Sequence, residues 1–111
     1  MPKYLCLQRS IPGAKAQKPS PAEMQEMYSK FGAWQESFRE NLVDLGGRLG
    51  AGKLIAAATP TDGPLIEVKD LIGGYMIVSA DSLTAATAVA AACPGLVGPG
   101  SAVEVIEIRT P

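Results

Sequence analysis

Histidine is absent from this sequence of 111 residues, and its absence excludes several kinds of site. Catalysis by a Ser-His-Asp triad or a Cys-His pair needs an imidazole, as do histidine metal sites and histidine pH switches. Cysteine is scarce as well, since only Cys6 and Cys93 occur and both lie among apolar neighbours. Two thiols without a disulfide framework are typical of reduced, intracellular proteins, so we expect a cytoplasmic protein.

Neither sign of charge dominates: ten basic and eleven acidic residues give a net charge of −1. We therefore expect no direct contact with nucleic acid and none with an anionic membrane. The longest uncharged helical run, residues 82–93, is too short to cross a bilayer, and only Lys3 precedes the short apolar run 4–7, so no secretory signal is predicted. The acidic residues are too scattered to nominate a metal site, and we predict no cofactor.

The overall composition indicates one globular domain spanning residues 1–111. Apolar residues make up 47% of the chain and charged residues 19%, values that fit a packed core rather than disorder. The 12 glycines and 9 prolines predict many tight turns.

The longest periodic segment predicts a first helix from Ser20 to the glycines at 46 and 47. Ser20 followed by Pro21 and Glu23 is typical of a helix start. Apolar side chains then recur at spacings of three and four: Met24, Met27, Tyr28, Phe31, Trp34, Phe38, Leu42 and Leu45. This stripe predicts one buried face on a helix of about 25 residues. Gly46 and Gly47 are predicted to end the helix because glycine readily adopts the left-handed cap conformation.

Strands are predicted over residues 3–8, 48–57, 73–80 and 102–108. A second helix is predicted over residues 83–93, capped by Asp81 or Ser82 and ended by Pro94 and Gly95. The order β-α-β-β-α-β is that of the ferredoxin-like arrangement, an α+β fold. We expect a four-stranded antiparallel sheet with both helices on one face.

The other face of such a sheet should alternate to polar residues if it meets water. Apolar residues occur on both faces instead, as Tyr4 and Leu5 illustrate in the first predicted strand. Burying each such side chain contributes ~1.5–3 kcal/mol, so we predict a homodimer whose open sheet faces pack together. The alternative is that the loops 9–19 and 57–72 fold over this face.

Two linked glycine-containing blocks stand out between residues 61 and 75: Thr61-Asp62-Gly63-Pro64-Leu65 and Glu67-Val68-Lys69-Asp70-Leu71-Ile72-Gly73-Gly74-Tyr75. They resemble the signature of the YCII-related, DGPF-type family, in which T-D-G-P-F precedes an acid-x-K pair and a G-G-Y/F strand start. The other elements occur in the family's order, so the resemblance covers nearly the whole chain. It implies a ferredoxin-like subunit in a dimeric α/β barrel, with a small-molecule cleft between the sheet and the partner.

The sequence departs from the family pattern in three ways. Leu65 stands where the motif has Phe, and the stretch before the motif is shorter than usual, which would reduce one pocket wall. The histidine that some members place beside an aspartate has no counterpart here, which argues against a His–Asp mechanism. Some members also resemble companions or appended domains of extracytoplasmic sigma factors, which implies a regulatory role tied to transcription.

Asp62 is the leading candidate catalytic residue. A carboxylate in the Gly63-Pro64 turn can act as a general base, or bind a cation or a ligand amine. The structural alternative is that Asp62 accepts hydrogen bonds from its own turn. Gly73 and Gly74 are interpreted as packing residues that let another backbone or a ligand approach closely.

Four further side chains are candidates for ligand binding: Arg9, Tyr28, Lys69 and Tyr75. Arg9 follows Gln8 at the end of the first strand, where it would clamp a carboxylate or phosphate. Tyr28 and Trp34 offer a hydroxyl and a stacking face, with the core as the alternative because both lie on the stripe. Tyr75 should line the cavity between the dimer's open faces. For Lys69 the alternative is a solvated ion pair.

Residues 47–54 match the phosphate-binding pattern G-x-x-x-x-G-K except that Leu54 replaces the Ser or Thr that holds magnesium. The segment follows a predicted helix and enters a strand, whereas the phosphate loop follows a strand and opens a helix. We therefore do not predict nucleotide binding.

Three functions remain open. The first is an acid–base enzyme with Asp62 as base and Arg9 or Tyr75 orienting a small molecule. The second is a non-catalytic ligand-binding or regulatory dimer that acts through a partner protein. The third is a structural assembly module without a ligand.

Overall fold

A computed structural model describes residues 1–10, 20–51, 55, 72–98 and 100–110. The elements are β1 (Lys3–Ser10), α1 (Pro21–Ser37), β2 (Leu42–Arg48), β3 (Ile72–Ser79), α2 (Leu83–Ala91) and β4 (Ser101–Ile108). The predicted order β-α-β-β-α-β is confirmed. In these described ranges no helix is long and apolar enough to span a bilayer.

The four strands form one antiparallel sheet in the order β2-β3-β1-β4, which is the ferredoxin-like topology. The central strand β1 pairs with β3 on one side and with β4 on the other. Leu5, for example, is opposite Ile77 in β3 and Ile106 in β4. Because side chains alternate along a strand, this register assigns every residue of the sheet to one of two faces.

The core lies between the sheet and the two helices, which cover the same face. Tyr4 and Cys6 of β1 and Val78 of β3 are buried there together with Val89 of α2. Trp34 of α1 joins this cluster, and its indole Nε1 donates a hydrogen bond of 2.9 Å to the Val89 carbonyl oxygen. A single buried indole therefore connects α1 to α2.

The start of α1 agrees with the prediction, and its end does not. Ser20 is the N-cap, and its hydroxyl oxygen accepts a hydrogen bond from the Glu23 backbone N–H. The helix ends at Ser37, with Phe38 as C-cap, and does not continue to residue 45. Asn41 pairs with the sheet instead: its carbonyl oxygen accepts from the Ser79 N–H at 2.7 Å, and its Nδ2 donates to the Ser79 carbonyl at 2.9 Å.

The second strand is also placed earlier than predicted, at Leu42–Arg48 rather than 48–57. The glycines expected to end the helix lie within this strand. Gly46 has a φ of +69°, and a Cβ on it would lie 1.8 Å from the Tyr75 carbonyl oxygen. Gly46 is therefore required for the close, irregular pairing of β2 with β3, where the register shifts twice.

Only the second half of the apolar stripe on α1 reaches the core. Phe31 and Phe38 pack against the buried cluster. Tyr28 is 69% exposed and Met24 41%, so the prediction of a continuous buried face is wrong for the first two turns. Because α1 ends at residue 37, the remaining stripe residues, such as Leu42, belong to other elements.

The face of the sheet that the helices leave open carries apolar side chains, as predicted. The register places Leu5 and Leu7 there beside Ile77 and Ile106. Near one end, Arg9 Nε donates to Glu104 Oε2. The alternative, in which the loops cover this face, falls almost entirely on residues outside the described ranges.

Candidate functional site

A cavity of about 160 Å³ lies between α1 and the helix-covered face of the sheet. Phe31 and Trp34, one turn apart on α1, form its aromatic wall, with ring centroids 5.3 Å apart. Leu45 of β2 also lines the cavity and is 46% exposed, so the cavity opens to solvent on that side. Its walls therefore come from a helix, a sheet and an edge strand.

Sulfur-bearing side chains occupy the deep side of the cavity. Cys6 and Met76 are register partners on β1 and β3, and Cys93 follows the end of α2. Burial raises the pKa of the Cys6 thiol from its ordinary 9.0 to about 11. Burial, with a smaller contribution from Cys6, does the same for Cys93. Both thiols are therefore protonated at neutral pH and are poor nucleophiles.

Gln8 of β1 contributes a polar side chain to the cavity wall, beside the glycines Gly47 and Gly74, which have no side chains. Its register partner Gly74 is buried, and a Cβ on that glycine would lie 3.1 Å from the Gly47 carbonyl oxygen. The same Cβ would lie 3.5 Å from Gln8 Oε1. The missing side chain at 74 thus leaves room both for β2 to approach and for the Gln8 amide.

The chain is matched over residues 3–109 by the YCII-related domain family. This protein is a member of the YCII-related family. No curated protein matches the chain. Among solved structures, a 5-chloro-2-hydroxyhydroquinone dehydrochlorinase from Burkholderia phenoliruptrix AC1100, in complex with 2,5-dihydroxybenzoquinone, is similar with 22% identity and a TM-score of 0.49. The alignment covers 96% of this chain and 93% of that one.

In this YCII-related protein none of the three described candidates for ligand binding directs its side chain into this cavity. Tyr75 borders the cavity, but the alternation of β3 directs its side chain to the open face, since its neighbour Met76 is buried on the helix side. Arg9 is paired with Glu104 and does not line the cavity. Tyr28 is exposed on α1 and does not line it either.

The remaining candidates divide between described and undescribed residues. Asp62, Gly63, Pro64 and Lys69 lie outside the described residues. Gly73 is exposed, and a Cβ there would meet no atom within 4 Å. Within the described ranges, no group of three or more Cys, Asp or Glu side chains is placed to hold a metal ion.

The sequence indicated several cavity residues without indicating where the cavity is. The sequence offers Trp34 as a stacking face and places Gln8 beside Arg9 at the end of the first strand, but it predicts the cleft between the sheet and a partner subunit. Strand alternation was the available signal, because Gln8 shares a face with buried Cys6 whereas Arg9 does not. Phe31 and Leu45 are indicated only as members of the apolar stripe, which predicts a buried face rather than a cavity, and Cys93 only as one of two cysteines among apolar neighbours.

Proposed function

We propose that this YCII-related protein binds an uncharged molecule about the size of one ring in the cavity between α1 and the sheet. The observation that carries the proposal is the cavity itself, about 160 Å³ with an aromatic wall. An apolar protein cavity of about 150 Å³ is large enough to bind benzene. The rings of Phe31 and Trp34, tilted by 36° to one another, offer a bound ring the aromatic contacts that such groups favour.

The charge of the wall supports an uncharged ligand. The described lining residues are apolar or neutral, and the raised pKa values keep Cys6 and Cys93 protonated at neutral pH. Transferring an ionised group into such a site would cost several kcal/mol without a partner of opposite sign. We therefore expect benzoate and anilinium ions to bind far more weakly than neutral rings.

Trp34 provides the experiment, because it is the single tryptophan of the chain and lines the cavity. Titrating the protein with phenol and toluene into the millimolar range should produce saturable changes in Trp34 emission. The variant Cys93→Leu fills the cavity and should abolish saturation. The control Cys93→Ala removes the same thiol but leaves the space open, and it should keep binding. A linear response in the wild type, or equal binding by both variants, would contradict the proposal.

We further propose that Asp62 supplies acid–base chemistry to a ligand held in this cavity. The reason is chemical: the described lining residues include no carboxylate, so a base has to come from elsewhere in the chain. The DGPF-type turn at residues 61–65 remains the leading candidate source. Lys69 is the secondary candidate for orienting a substrate near this turn, because the side chains of Arg9 and Tyr75 lie on the open face of the sheet.

Deuterium exchange at the α-carbon of cyclohexanone, followed by NMR, tests this second proposal. The wild type should accelerate exchange, and Asp62→Asn should lose the acceleration while retaining the Trp34 response to the ring. Asp81→Asn changes an exposed aspartate in the turn before α2 and serves as the control. Ring binding without any exchange would favour the non-catalytic, regulatory alternative.

We also propose that the protein is a homodimer joined through the open face of the sheet. The apolar side chains of Leu5, Leu7 and Ile77 on that face support it. The packing of two such faces would remove a large apolar area from water, which is the driving force of most protein association.

A further inference from the structure

We infer that Gln8 makes the cavity selective for a ring that carries one hydrogen-bonding oxygen, either a hydroxyl or a carbonyl. This inference rests on the proposed function, because it concerns the ligand of the same cavity. It adds the chemical class of that ligand and the residue that recognises it.

The Gln8 side chain lies at the cavity, where its amide is available to a ligand. Gln8 follows Cys6 in the alternation of β1, so its side chain lies on the helix-covered face, where it lines the cavity. Its two register partners are Gly74 in β3 and Val103 in β4. Neither carries a polar side chain, and among the described residues no side chain hydrogen-bonds to the Gln8 amide.

The other polar groups of the described wall either hydrogen-bond within the protein, face away from the cavity or are weak hydrogen-bond donors. The Trp34 Nε1–H is donated to the Val89 carbonyl oxygen. The Tyr75 side chain lies on the opposite face of the sheet. The thiols of Cys6 and Cys93 are weak donors. Gln8 is therefore the strongest hydrogen-bonding side chain of the described wall.

The chemistry of the amide determines which ligands can hydrogen-bond to it. Its NH₂ group donates and its oxygen accepts, so it satisfies either a hydroxyl or a carbonyl. A hydrocarbon ring would remove water from the amide without replacing the lost hydrogen bond, and a buried unpaired polar group is costly. A neutral hydrogen bond of ordinary strength changes an affinity by about fivefold.

Phenol and toluene form a matched pair of probes, since a hydroxyl replaces a methyl group of similar size. Titrated against Trp34 emission, the wild type should have a ratio of phenol affinity to toluene affinity about fivefold higher than Gln8→Met. Gln8→Met keeps the length of the side chain but removes the amide, so it should favour toluene, because the phenol hydroxyl would then be buried without a partner. Gln8→Leu is the second variant, in case Gln8→Met does not fold, and circular dichroism reports folding.

The control is Lys3→Met, which places a methionine at an exposed position of the same strand and should keep the wild-type ratio of the two affinities. The same ratio of phenol affinity to toluene affinity in the wild type and in Gln8→Met would overturn the role of Gln8 while leaving ring binding intact. Saturation by neither probe would overturn the proposed function and this inference together.

Discussion

At the scale of single residues, two neighbours on β1 have opposite surroundings. Gln8 lines the cavity on the helix side, whereas the next residue, Arg9, is paired with Glu104 on the open face. The extended backbone alone produces this difference, because successive side chains point to opposite faces. A one-residue change of register would exchange the amide and the guanidinium, and with them the charge of the cavity.

The two cavity thiols lead to a prediction about pH. Burial holds the pKa of Cys6 and of Cys93 at about 11, above the ordinary 9.0 that applies when the chain unfolds. The folded state thus retains a proton that the unfolded state loses, so stability is fully present below pH 9 and falls as pH rises toward 11. The loss is at most about 1.4 kcal/mol per pH unit for each thiol.

Urea unfolding at pH 8, 9 and 10 measures this loss. The double variant with both cysteines replaced by alanine lacks the two thiols and should show a shallower pH dependence. Identical slopes in the two proteins would contradict the burial of the thiols. In the native protein, a thiol reagent applied at pH 8 should react slowly with both cysteines and rapidly once urea has unfolded the chain.

At the scale of elements, α1 is held to the rest of the molecule mainly through its second half. Its first two turns expose Met24 and Tyr28, whereas Trp34 is buried and bonded to α2. The tilted rings of Phe31, Trp34 and the C-cap residue Phe38 follow one side of the helix. Because Phe31 and Trp34 also form the cavity wall, the attachment of α1 and the shape of the cavity depend on the same side chains.

Replacing Trp34 with Phe should therefore destabilise the protein. The variant loses the hydrogen bond to the buried Val89 carbonyl oxygen and leaves that oxygen without its partner, at a cost of ~1–3 kcal/mol. Chemical denaturation monitored by circular dichroism measures the change. Tyr28→Phe, an aromatic replacement at an exposed position of the same helix, should change stability by less than ~0.5 kcal/mol. Similar losses in both variants would show that the Trp34 hydrogen bond has no special role.

At the scale of the whole molecule, the helices cover one face of the sheet, and among the described residues no element covers the other. Leu5 and Ile77 lie at its centre, and Ile106 on the edge strand is 40% exposed. The homodimer proposal follows from this face. It is independent of the cavity, which lies on the other side of the sheet.

Sedimentation equilibrium tests the proposed dimer. The wild type should sediment as a dimer, and Ile106→Glu should shift it toward monomer because a charge would be buried between the two sheets. Leu83→Glu introduces the same charge at an exposed leucine of α2 and should leave the dimer intact. A monomeric wild type would show that the homodimer prediction is wrong.

The sequence by itself determined the order of the elements, the family and the N-cap of α1. These features depend on local periodicity, capping chemistry and a contiguous motif, all of which can be read without knowing what packs where. Ser20 and the blocks around residues 61–75 are examples. The apolar residues on both faces of β1 were also visible, because alternation is a property of the strand itself.

Only the tertiary structure decided where α1 ends, where β2 lies and where the cavity is. Leu42 and Leu45 continue a helical spacing, but the hydrogen bonds between Asn41 and Ser79 and the pairing of β2 with β3 place them in the sheet. The close approaches of Gly46 to Tyr75 and of Gly47 to Gly74 likewise join residues almost thirty positions apart in the chain. Propensity contributes fractions of a kcal/mol per residue, whereas sheet pairing and burial contribute more, so long-range contacts determined these features.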